Sequence, residues 1–217
     1  MGTARSEVAS AARENILARI AKANAQPRPA TAPAAPIEKI FAPISNPRKR
    51  FLEECAGNLT EVFEAPDRTR SINALEMILS TVPQGEVYVQ DNPVLQPLLD
   101  VLRQWREVRL SSQGPALEAT QVSLTLAHGF VAQTGSILTS SACGGRGASI
   151  VPPCHIVYGR GEQIVPDIAA ALARVPLEVP DASYVGLITG SSRTADIEKI
   201  LVQGAHGPRR LVVILEG

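Results

Sequence analysis

The residues of this chain best suited to hold and act on an anion run Gly190-Ser191-Ser192-Arg193-Thr194-Ala195-Asp196-Ile197-Glu198, followed by Gly204-Ala205-His206-Gly207-Pro208. An apolar, strand-like segment from Tyr184 to Thr189 leads into them. Thr194 is predicted to cap a helix reaching Gln203, with Asp196 and Glu198 in its first turn and Ile197, Ile200 and Leu201 on its buried face. Gly204 stands where such a helix would stop. A helix start leaves backbone N–H groups unpaired and carries partial positive charge, so it suits an anion. Arg193 adds a fork of donors matched to carboxylate or phosphate, and His206 adds a titratable group. The same residues also describe an ordinary well-capped helix with a surface arginine.

Two further segments carry residues of the same kind. Thr134-Gly135-Ser136 precedes the apolar Ile137-Leu138, and could bring amides and hydroxyls to a ligand or simply turn the chain. Cys143-Gly144-Gly145-Arg146-Gly147 reads as a mobile loop able to close Arg146 over an anion, or as a plain connection. Neither Gly145-x-Gly147 nor Gly159-x-Gly161 has the third glycine of a dinucleotide fingerprint, and there is no Gly-Lys-Ser/Thr phosphate loop or Gly-x-Ser-x-Gly elbow. Cys143, Cys154 and His155 lack the tight pairing of structural zinc ligands. No metal is expected. His128, His155 and His206 are read as structural unless a partner group is found beside them.

These segments need a scaffold, and the pattern supplies one. Helical spacing is predicted over Arg48–Leu59, Arg68–Val82, Val94–Arg106 and Pro166–Arg174. Strands are predicted near Glu61–Glu64 and at Glu86–Val89, Gln121–Thr125, Ser136–Ser140, His155–Tyr158, Tyr184–Thr189 and Leu211–Leu215. Alternation of this kind implies an α/β domain, a largely parallel sheet flanked by helices. Residues 1–40 read as an N-terminal helical arm, Ser6 to about Ala23, on a linker containing Pro27, Pro29, Pro33 and Pro36. The arm is either a loose terminus or a docking element, and the α/β domain takes residues 41–217.

Composition narrows the function classes. The chain has 217 residues, 45% of them apolar, enough for a full core. Basic and acidic residues number 21 each and aromatics are only 4%, so neither a charged field nor a stacking surface invites nucleic acid. The aliphatic run Leu211–Leu215 is far short of the roughly 20 residues that span a bilayer. Glu7, Arg13 and Glu14 interrupt any secretory leader, and the expectation is a cytoplasmic protein. Three widely spaced cysteines do not suit an iron–sulfur cluster held by this chain alone.

Five motifs in order identify a resemblance. They are Thr134-Gly135-Ser136, Arg146, Ile150-Val151-Pro152 with His155-Ile156-Val157, Gly190-x-Ser192-Arg193-Thr194-Ala195-Asp196-Ile197-Glu198, and Gly204-x-His206-Gly207-Pro208. Together they resemble the lactate utilization protein C family (LutC) of LUD-domain proteins, over roughly residues 41–217. Two positions depart from the family pattern: Gln133 replaces a commonly acidic residue, and Ser191 replaces a proline. The resemblance implies a fold similar to ribose-phosphate isomerases, glucosamine-phosphate deaminases and CoA transferases. It also implies a part in bacterial oxidation of L-lactate to pyruvate with two iron–sulfur partner proteins. No cofactor is expected in this chain, and the clusters are expected in the partners. The residues expected to hold a small carboxylate or phosphate are Thr134, Gly135, Ser136, Arg146, Ser191, Ser192, Arg193 and Thr194, with His206 as a proton handler. The alternative is a stand-alone enzyme acting on a phosphorylated or CoA-linked substrate, although no Glu-Asn-Gly setting marks a nucleophile and Glu118 is poorly placed for one.

Overall fold

The computed structural model describes residues 3–25, 43–114, 117–194, 202–203 and 207–217, with the backbone alone at 3–11, 176–178, 193–194 and 202–203. Two compact units divide after Ala42. The described residues of the first form one helix, α1 (Thr3–Asn24), on which Ile16, Leu17 and Ile20 are exposed.

The second unit is built on a six-stranded, wholly parallel sheet. Its strands are β1 (Thr60–Ala65), β2 (Glu86–Val89), β3 (Val108–Leu110), β4 (Thr120–Leu126), β7 (Cys154–Arg160) and β12 (Arg210–Glu216), in the spatial order β1-β12-β7-β4-β2-β3. Parallel strands covered on both faces read as continuous apolar runs, and β12 is the clearest case. Val212 and Ile214 face one cluster while Leu211, Val213 and Leu215 face the other.

On the first face lie α3 (Arg68–Ser80) and α4 (Gln96–Trp105), whose Leu75, Ile78, Leu98 and Leu102 meet Val87, Val89, Leu124 and Ile156. Helix α3 starts where the Asp67 side chain accepts from the Arg70 amide at 2.8 Å. On the second face lie α2 (Pro47–Gly57) and a smaller sheet. That sheet, in the order β8-β5-β6-β9, comprises β5 (Gly129–Val131), β6 (Ser136–Ser140), β8 (Ile164–Val165) and β9 (Val185–Ile188). Phe51 of α2 and Phe130 of β5 meet at 5.2 Å between ring centroids. The outer side of this second sheet packs on α5 (Ile168–Glu178) through Val131, Leu138, Val165 and Ala171. Four layers result: helices, parallel sheet, α2 with the second sheet, and α5.

The large parallel sheet agrees with the expectation from the sequence, whereas the second sheet is an addition to it. In that sheet β6 runs antiparallel to both β5 and β9. The helix expected over Thr194–Gln203 is corrected at both ends. Arg193–Thr194 (β10) and Val202–Gln203 (β11) form an antiparallel pair, Thr194 opposite Val202. Both of those residues are β-branched, a type that favours extended backbone and disfavours helix. The rest of that expected helix (195–201) and the residues Gly204, Ala205 and His206 lie outside the described residues, as do the linker prolines of 26–40.

The second face also carries polar residues. Tyr88, Ser123 and His155 are register neighbours across β2, β4 and β7, and all three are buried. His155 is fully enclosed; its Nε2 lies 2.9 Å from Thr125 Oγ1, and Nδ1 finds no hydrogen-bond partner among the described residues. Burial drives its pKa from 6.5 down to about 4. The unfolded chain therefore takes up this proton first, and stability present above about pH 6.5 falls as the pH drops toward 4. We expect this group to contribute about 3 kcal/mol of that loss, because each pH unit separating the two values corresponds to about 1.4 kcal/mol. Urea unfolding of the wild type and of His155→Gln across that range checks it: the wild type should show the steeper pH slope, and equal slopes would refute it.

Candidate functional site

The carboxyl end of α2 organises the site. Gly135 takes φ of +63°, and a Cβ there would lie 2.9 Å from the backbone of Glu54 and Cys55. Gly190 takes φ of +77°, and a Cβ there would lie 2.3 Å from the Asn58 carbonyl. Both turns therefore approach the same helix end more closely than any side chain allows. The Asn58 amide completes the arrangement by donating to the Thr134 carbonyl at 2.9 Å.

Two sequence-distant turns are thereby placed side by side. The Ser136 hydroxyl lies 2.6 Å from Thr134 Oγ1 and 2.6 Å from Thr189 Oγ1, so three hydroxyls form a chain across the β6–β9 edge. Ser136 is buried while Thr189 is exposed. Beyond it the Ser192 amide donates to the Pro208 carbonyl at 2.9 Å, bringing the Gly207-Pro208 turn alongside. Alongside the 189–192 and Gly207-Pro208 turns opens a cleft of about 470 Å³, lined by Thr189, Gly190, Ser191 and Ser192 together with Ile150, Tyr184 and Leu187; of the hydroxyl chain, Thr189 alone is in its lining.

Of the residues expected at an anion site, Thr134, Gly135 and Ser136 are thus joined to the 189–192 segment, and Ser191 and Ser192 line the cleft. Arg146 stands over the ring of Tyr184 at 5.4 Å, next to the same cleft. Arg193 and Thr194 are strand residues by backbone, and the Arg193 guanidinium and His206 lie outside what is described. The segment expected as a mobile loop is tied down. Tyr88 Oη donates to the Gly144 carbonyl at 2.7 Å, Gln90 to that of Ala142 at 2.9 Å, and Ser123 to that of Ala148 at 2.6 Å.

Open α/β sheets place their ligands where the parallel strands end. The cleft instead lies beside the starts of β7 and β12, because Ser149-Ile150 precede β7 and Gly207-Pro208 precede β12. The reason is that β9 belongs to the second sheet, so its end is not a carboxyl end of the parallel one.

Sequence reading missed Thr189 and Asn58. The Thr-Gly step at 189–190 was the only available signal for the first, and Asn58 offers none because its role depends on where α2 ends. Cys143 Sγ contacts His128 Nε2 at 3.2 Å, and no cluster of three metal-ligating side chains occurs among the described residues.

The α2 docking predicts that Gly190→Ala destabilises the protein by about 2–5 kcal/mol, from left-handed strain plus a backbone clash. Gly57→Ala, with nothing within 4 Å of its Cβ, should be neutral or stabilising. Urea midpoints at constant m report both.

Comparison with known proteins gives the family. The LUD domain matches residues 48–215. Lactate utilization protein C of Deinococcus radiodurans is 35% identical over 127 residues, 58% of this chain and 58% of that protein. The protein of the same name from Bacillus licheniformis is 32% identical over 103 residues, 45% of this chain and 43% of its own length. The matched region thus spans about half the length of these relatives. The crystal structure of a DUF162 family protein from Deinococcus radiodurans superposes with a TM-score of 0.62 at 20% identity, over 79% of this chain and 96% of that one, which shows a shared fold. With more than three quarters of its length matched, this chain belongs to the LUD domain family.

Proposed function

We propose that this protein is a component of a bacterial system oxidising L-lactate to pyruvate, and that its hydroxyl-lined cleft binds a small anion instead of carrying the redox centre. The relatives named lactate utilization protein C support the first part. The second rests on one observation, the Thr134–Ser136–Thr189 hydroxyl chain abutting backbone that turns at Gly190. Hydroxyls and turn amides offer donors to a carboxylate or phosphate. In this reading Arg193 and Arg146 supply the fixed charge, and His206 handles a proton. Removing two electrons from lactate requires an acceptor, which we assign to two iron–sulfur partner proteins. Among the described residues no helix is long and apolar enough to cross a membrane.

The size of the cleft favours a second reading. L-lactate has six non-hydrogen atoms and fills at most roughly 180 Å³ if each takes a water's share of about 30 Å³. The cleft offers about 470 Å³, with an apolar wall beside the polar one. A phosphorylated or CoA-linked substrate, turned over by this chain as a stand-alone enzyme, would use that space better.

Calorimetric titration distinguishes the two. The first reading expects L-lactate, pyruvate or phosphate to bind, with Thr189→Val weakening binding about fivefold, the worth of one hydrogen bond of about 1 kcal/mol. It also expects Arg193→Ala to abolish lactate-dependent growth. Binding only of sugar phosphates or CoA esters, with lactate and pyruvate inert, selects the second. Unchanged affinity and growth in both variants refutes the anion clamp.

A further inference from the structure

The topology marks a second position, at the opposite edge of the parallel sheet. Strands β2 and β4 are neighbours, but the chain leaves them toward opposite faces. After β2 it enters α4, whose Leu98 and Leu102 pack on the first face; after β4 it enters β5 and β6, whose Phe130 and Ile137 pack on the second. Adjacent parallel strands with diverging connections leave a crevice outside their carboxyl ends, the usual ligand position in open α/β sheets.

The side chains at that position form a reactive set. Just past β2, Gln90 accepts from the Leu126 amide at 2.8 Å and donates to the Ala142 carbonyl, pinning the loop that carries Cys143 over the end of β4. Just past β4, His128 Nε2 lies 3.2 Å from Cys143 Sγ and 2.8 Å from Ser140 Oγ. A nucleophilic sulfur, a base within reach of it and a hydroxyl on the same ring nitrogen therefore converge. The other two cysteines have no such setting. Burial pushes Cys55 up to about 12 and Cys154 up to about 11. Cys143 is also buried, and burial by itself raises its pKa. Hydrogen bonds from His128 and Thr139, the nearby imidazole charge and the Ser140 main chain outweigh it, leaving Cys143 below its ordinary value.

We propose that Cys143 and His128 form a nucleophilic thiol site, separate from the cleft at Gly190, that takes the carbonyl group of a small aldehyde or ketone. His128 removes the thiol proton. The sulfur lone pair forms a bond to the carbonyl carbon, the C=O π pair moves onto oxygen, and the imidazolium returns the proton to that oxygen, giving a neutral thiohemiacetal with no oxidant consumed. The geometry specifies a carbonyl because the adduct oxygen is formed beside the sulfur, within reach of Nε2–H and the Ser140 hydroxyl. With Cys143 only 2% exposed, the site admits small electrophiles alone.

The test uses the full chain. Native protein at pH 7 is treated with iodoacetamide, and labelling of the three cysteines is followed by peptide mass mapping. Cys143 should label about tenfold faster than Cys55 or Cys154, and His128→Asn should abolish that advantage. In parallel, acetaldehyde carrying carbon-13 at the carbonyl is added and observed by NMR. A thiohemiacetal carbon signal should appear with the wild type and Cys55→Ser, and be absent with Cys143→Ser. Equal labelling of all three cysteines in the wild type, which needs no variant to fold, overturns the proposal. So does an adduct signal that survives in Cys143→Ser.

Discussion

The carboxyl end of α2 is the constraint on which the rest of the site depends. Its last turn and Asn58 occupy the space where side chains at 135 and 190 would stand, and glycine at both positions lets two turns settle against one rigid helix end. Once they are there, Ser136 reaches both Thr134 and Thr189 at 2.6 Å, and a chain of hydroxyls spans segments more than fifty residues apart. Each hydrogen bond is worth only about 1 kcal/mol. What makes the arrangement persist is the packing behind it: Phe51 and Cys55 of α2 are completely buried against the parallel sheet and β5. A helix fixed by its own core contacts positions polar turns that could not hold themselves.

The fold separates chemistry to opposite edges of one sheet. The second sheet turns back on itself, because β6 is antiparallel to β5 and β9, and so delivers the 189–192 turn to the amino edge. The loop that follows β6 crosses the sheet from Gln90, past Tyr88 and Ser123, to Ser149 and Ile150 in the cleft. One tethered segment thus touches both the thiol–imidazole pair and the cleft wall. Its polar underside is satisfied by the buried row on the parallel sheet, leaving His155 Nδ1 as the buried polar atom there without a partner among the described residues.

How much of this was legible depends on what each feature rests on. The strands β2 and β12 and the helix α3 follow from local patterning, since a strand buried on both faces must be apolar throughout and a helix on one face must repeat every 3.6 residues. Strands β6 and β9 were readable as strands, but β5 and β8 are three and two residues long, too short for any period to show, so the grouping into a second sheet was not. The helix expected over Thr194–Gln203 is corrected at its two ends for the opposite reason: its spacing is good, but Thr194 and Val202 pair as strand, and strand pairing overrides propensity. At the site, Thr-Gly-Ser and the Gly-Ser-Ser turn were readable as residue types. Their meeting was not, because it is made by Asn58 and two left-handed glycines whose neighbours lie across the fold.

This chain belongs to the LUD domain family, and the account stands on the proposal that an anionic metabolite occupies the cleft. Amide chemical-shift mapping of isotope-labelled protein during titration with L-lactate, pyruvate and phosphate tests it most directly. The account predicts saturable shifts concentrated at residues 135–136, 189–192 and 207–209. Saturable shifts confined to other surfaces, or none in those three segments with any of the anions, would contradict it.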